Sequence, residues 1–171
     1  MCIRDSYARR AALASNGDAD GDLRRAIEAL EKGRALDPHG FVAAFYEGEA
    51  YARLADRAAA RGDDPAADRA RAIAMYERGV SAAPRMSLLY NGLSMVRLAQ
   101  AADAWQREGD PDLPLAQAIT AATQAIAVAP EQGFGYNNLG AALSRLADFQ
   151  RLRRRDPRAA SAAATAAFTL A

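Results

Sequence analysis

The side chains of this 171-residue chain that could do chemistry are one histidine, one cysteine and a few closely spaced carboxylates. A zinc site needs three or four protein ligands, and Cys2 with His39 cannot supply them. His39 falls in Asp37-Pro38-His39-Gly40, a composition that reads as a surface turn after a helix. Asp63-Asp64 and Asp110 with Asp112 could form acid–base pairs. Their recurrence at one interval, each time beside a proline, points instead to helix capping. Gly17 and Gly21 sit among Asp18, Asp20 and Asp22, whose charge would repel phosphate, so they make no phosphate loop. The run Gln150-Arg151-Leu152-Arg153-Arg154-Arg155 could meet an acidic partner. Its simpler reading is a solvated helix end whose cations complement the negative dipole terminus. No catalytic role, metal or cofactor is expected.

Charge and composition point the same way. The 22 basic side chains against 21 acidic ones leave a formal net charge of +1, so the basic excess that displaces counterions from a nucleic acid is missing. No run approaches the roughly 18 to 20 apolar residues of a membrane span. A lone cysteine makes no internal disulfide and implies no oxidising compartment. The expectation is a chain without nucleic acid or membrane among its partners, with a lean to the cytoplasm.

The elements that must position any site follow from an internal repeat of 46 residues. Ala26-Ile27, Ala72-Ile73 and Ala118-Ile119 share that interval, and a proline follows each by twelve residues, at 38, 84 and 130. Asp18, Asp64, Asp110 and Asp156 keep the same spacing, with Pro65, Pro111 and Pro157 after the last three. Tyr90-Asn91 with Leu93 recurs as Tyr136-Asn137 with Leu139. Each unit reads as two helices. Asp-Pro starts one of them, because the carboxylate accepts from orphan amides and proline suits the first helical position. Leu113-Pro114 predicts a start delayed by a few residues in the third unit. Ile27, Leu30 and Arg34, like Ile73, Tyr76 and Val80, recur at three and four residues and share a helical face. The prolines at 38, 84 and 130 then stop the helix. No stretch alternates with period two, so no strand is expected. Trp105 reads as packing late in a first helix.

Tyr136-Asn137-Asn138-Leu139-Gly140-Ala141-Ala142-Leu143 resembles the first-helix pattern of the tetratricopeptide repeat. The small–large–small positions of that family's second helix fall on Ala26, Leu30, Gly33; on Ala72, Tyr76, Gly79; and on Ala118, Ala122, Ala125. The family period is about 34 residues, so each unit here is longer by about a turn and a half per helix, filled with Ala- and Arg-rich helix formers. Glu47 stands where leucine is expected and Arg97 where a large apolar residue is expected. Arg-Leu-Ala at 53, 97 and 145 predicts a two-residue slip of the first-helix register in one unit. The long period and Gly/Asp-Pro turns are also similar to repeat arrays that follow the kinase domain in some bacterial signalling kinases.

The resemblance implies an all-α, right-handed solenoid of antiparallel helix pairs: repeat 1 at 7–38, repeat 2 at 39–84, repeat 3 at 85–130 and repeat 4 at 131–171. Residues 1–6 do not fit the repeat and read as a non-native scar. The outer units are incomplete and suggest a piece of a longer array. First helices line the concave side of such arrays, which puts Val42, Phe45 and Glu49; Leu88, Asn91 and Met95; and Phe134, Asn137 and Ala141 on the groove. Asn91 and Asn137 could hold a peptide backbone, or brace adjacent loops. The lysines by which chaperone-binding members grip a terminal carboxylate would fall on Phe45 and Phe134, so that partner class is disfavoured. The expected function is a scaffold that binds a protein or peptide segment without turnover. The rivals are a regulatory array of a larger kinase and an element that self-associates through its array ends.

Overall fold

The computed structural model describes residues 18–171 as seven α-helices joined by short turns, with no strand among them. They are α1 (Ala19–Leu36), α2 (Phe41–Arg61), α3 (Ala66–Ala82), α4 (Ser87–Gln106), α5 (Asp112–Val128), α6 (Gly133–Leu152) and α7 (Arg158–Thr169). Cys2, Gly17, residues 1–6 expected to be a scar and the expected start of repeat 1 at residue 7 lie outside the described residues. The chain divides into two compact units at Pro84 and Arg85. In the first, α2 packs on both α1 and α3; in the second, α5 packs on α4 and α6, α6 packs on α7, and α4 touches α6.

The repeat is written into the helix ends. Asp64, Asp110 and Asp156 each accept from the backbone N–H two residues on, at 3.2, 3.0 and 3.0 Å, across the intervening proline. Asp18, followed by Ala19 in place of a proline, accepts instead from the Gly21 N–H three residues on, at 2.9 Å. Pro114 causes no delay, because it falls in the first turn of α5, where its missing N–H would have no helical partner anyway. The helices before Pro38, Pro84 and Pro130 stop at Leu36, Ala82 and Val128. Starts at Phe41, Ser87 and Gly133 lie 46 residues apart, so the first-helix register does not slip. The Arg-Leu-Ala triplets at 53 and 145 share one position in their helices, and only the one at 97 falls two residues earlier.

First helices also end alike. Gly62, Glu108 and Arg154, again 46 apart, take φ of 82°, 59° and 56°. The next amide bonds back to the carbonyl five residues earlier: Asp63 to Ala58 at 2.9 Å, Gly109 to Ala104 at 2.8 Å and Arg155 to Gln150 at 2.7 Å. This left-handed cap satisfies carbonyls that the helix leaves open.

Each unit has its own core. Leu23, Ile27, Ala50 and Leu54 cluster in the first with Tyr51 against them. Ala101, Leu115, Ala118, Ala142 and Phe149 cluster in the second, with Trp105 stacked on Phe149 at 4.9 Å. Trp105 is thus a packing residue, and Arg153 lies 5.5 Å above its ring. Alanine dominates the buried positions; it lets helix backbones approach closely but buries little apolar area per residue. Among the described residues no helix is long and apolar enough to cross a membrane.

Candidate functional site

The expected groove residues divide into engaged and exposed groups. In the first unit Phe45 meets Tyr46 edge-on at 5.0 Å and Tyr76 at 6.1 Å. Glu49 accepts from the Tyr76 hydroxyl at 2.7 Å and lies 3.6 Å from Arg53. Both are committed to holding Tyr76, whose hydroxyl is pushed well above its ordinary range by burial and then by the Glu49 charge. Val42, on the first turn of α2, is exposed.

In the second unit Leu88 and Met95 on α4 and Phe134 on α6 are exposed, Phe134 by 70%. Ala141 is half-buried. Val42, Leu88 and Phe134 share one register, the second residue of each first helix. An exposed apolar side chain therefore recurs at the same helical position at each 46-residue step.

The two asparagines part company. Asn91 is 7% exposed and accepts from Asn138 Nδ2 at 3.0 Å. Asn137 is exposed. Asn91 thus braces α4 to α6, as does Ser87, which donates to Gln132 at 2.9 Å. The repeat arithmetic aligns Asn91 with Asn137 and hides the role of Asn138, whose only sequence signal is the Asn-Asn doublet. The other amide atom of Asn91, Nδ2, is buried without a partner.

Glu47, in place of the leucine expected from the resemblance, is 1% exposed and accepts from Arg34 Nε at 2.9 Å. Burial raises its carboxyl above the ordinary range, and the bond and charge of Arg34 hold it back. An ion pair at this position links α1 to α2 where the family pattern would use apolar contact.

The remaining chemical candidates lie in turns and at helix ends. His39 is exposed in the turn between α1 and α2. Asp64 and Asp110 cap helices, and Asp63 accepts from Arg61 at 3.0 Å. Two arginines of the run are paired within the chain. Arg151 reaches Asp148 at 2.9 Å, and Arg153 reaches Asp112 at 2.5 Å and Asp110 at 3.3 Å. Arg61 meets Asp20 at 3.0 Å over the same 41-residue interval as Arg153 and Asp112. Among the described residues no group of three or more His, Cys, Asp or Glu side chains could hold a metal ion. No protein-family model matches this chain, and no curated protein matches it significantly. The geometry defines an all-helical, repeat-like protein.

Proposed function

We propose that this chain is a tetratricopeptide-like α-solenoid module that binds an apolar peptide segment of a partner protein, without turnover. The observation that carries the reading is the set of exposed apolar side chains on the touching helices α4 and α6 of the second unit, Leu88, Met95 and Phe134, with Val42 at the same register in the first unit. Single exposed apolar residues are ordinary on protein surfaces, whereas an apolar position repeated on successive elements is a feature of interaction faces. Phe134 and Met95 would anchor side chains of the segment. Exposed Asn137, on the α6 turn after Phe134, offers donors and an acceptor to its backbone. Asn91 supports that face from below through Asn138.

The test is selection of displayed peptides on the full chain. Enriched sequences should carry two or more large apolar side chains. Phe134→Ser combined with Met95→Ser should weaken their binding at least tenfold, with helicity by circular dichroism unchanged. Selected peptides that bind this variant as tightly as the parent would refute the reading.

A further inference from the structure

Between the first turns of α5 and the last turns of α6, the second unit holds an open cavity of about 140 Å³. Its apolar wall is Leu115, Ile119, Leu146 and Phe149; Asp112 contributes from the start of α5, and Gln150, Arg153 and Arg155 from the end of α6 and the turn after it. The repeat offers a direct comparison. The equivalents of Leu115, Ile119 and Leu146, two periods earlier, are Leu23, Ile27 and Leu54. Those three are buried to within 6% exposure or less in the first unit, whereas Ile119 and Leu146 are only partly buried. Ala116, also on the cavity wall, stands at the register of Arg24, so a long side chain has been replaced by a methyl group. Phe149 stands at the register of Arg57, which pairs with Asp20 in the first unit and so meets its charge there. The same shell is closed in one unit and open in the other.

The open version has the groups a small ligand needs. A cavity of about 150 Å³ lined by apolar side chains accepts a single benzene ring. Gln150 lines this cavity, and its Oε1 is buried with no hydrogen-bond partner, an acceptor left unmet at a cost that a donor would relieve. Arg153 is committed to Asp110 and Asp112. Arg155 is not held so closely: its side chain is 65% exposed and its contact with Asp112 is 3.9 Å long. A guanidinium with spare donors fits a carboxylate.

We propose that this cavity is a binding site for a single-ring aromatic acid that carries a ring hydroxyl. The ring would lie among Ile119, Leu146 and Phe149, the hydroxyl would donate to Gln150, and the carboxylate would meet Arg155. This site is separate from the exposed apolar row and does not depend on it.

The probe is 4-hydroxybenzoate, titrated into the full chain and followed by the methyl resonances of Ile119 and Leu146 and by Trp105 emission, which senses Phe149 through their stacking. Saturable shifts with a dissociation constant on the order of 1 mM are expected for so small a ligand. Benzoate should bind a few-fold more weakly. Arg155→Gln should weaken 4-hydroxybenzoate roughly tenfold. Ala116→Arg restores the residue type of the closed unit at an exposed helical position, and should abolish binding while leaving the melting temperature unchanged. The proposal is overturned if those methyls do not shift, if benzoate binds as well, or if either variant binds like the parent.

Discussion

Gly140 on α6 lies under the ring of Phe168 on α7, so close that a β-carbon built on it would fall 2.7 Å from the ring. Two periods earlier Gly48 on α2 faces the ring of Tyr76 on α3 in the same way, at 3.0 Å. One period from each, the aromatic position is Ala122 and the glycine position is Ser94, whose hydroxyl donates to the carbonyl of Ala118 at 2.9 Å. Large therefore faces glycine, and small faces serine. Packing across each hairpin conserves volume even where the residues change.

These two glycines should respond differently to alanine. Alanine favours helix by about 0.5–1 kcal/mol over glycine, and the added methyl must displace an aromatic ring. Tyr76 is 1% exposed and tied to Glu49, so Gly48→Ala should be destabilising by about 1–2 kcal/mol net. Phe168 is 45% exposed near the end of α7 and can swing aside, so Gly140→Ala should be near neutral. Urea unfolding of the two variants gives the comparison; equal losses would contradict this packing account.

At the buried ion pair, removing one partner differs from replacing the pair. Arg34→Ala strips Glu47 of its hydrogen bond and should cost about 1–2 kcal/mol at neutral pH, discounted because Arg34 is partly exposed. The sign with pH follows from the raised carboxyl. The folded state keeps its proton to higher pH than the unfolded chain. Ionisation therefore favours unfolding as pH rises from the unfolded value, about 4.3, through the raised folded one. Losing Arg34 raises the folded value further. The variant's deficit should be small at pH 4 and complete at pH 7, measured by thermal melts across that range. Glu47→Leu with Arg34 retained should be neutral or stabilising.

Asn138→Ala should be costlier than Asn137→Ala. The first removes the donor to a buried acceptor on Asn91, a loss of about 1–2 kcal/mol. The second changes an exposed side chain and should stay within about 0.5 kcal/mol. Chemical denaturation distinguishes them, and the reverse order would mean that Asn137 is the brace.

The left-handed caps offer a stabilising change. Arg154 holds φ of 56° where the first unit has Gly62, and a side chain in that region costs about 1 kcal/mol. Arg154→Gly should raise stability by about 0.5–1 kcal/mol in equilibrium unfolding, after the greater freedom of glycine in the unfolded chain is counted. A loss would mean that Arg154 makes a contact worth more than its strain.

Helix number, order and ends were legible because they depend on local chemistry: Asp-Pro starts, prolines two residues past each second helix, and alanine-rich interiors between them. The surroundings of the expected groove residues were legible only in part. Spacing places Phe45 and Glu49 on a face but does not reveal that Tyr76, 27 to 31 residues on, takes both as partners. Nor does a 46-residue period distinguish Asn137 from Asn138, since one residue turns a helix by about 100° and decides which asparagine meets α4. The cavity beside Phe149 needed the packing of α5 on α6, although Ala116 at the register of Arg24 was its trace in the sequence.

The most direct measurement is methyl NMR of the chain with a selected apolar peptide. Leu88 and Met95 should shift saturably, together with the ring of Phe134, while Leu113 and Leu152, also exposed but off that register, stay fixed. Shifts confined to Leu113 and Leu152, with Leu88 and Met95 unmoved, would contradict the account.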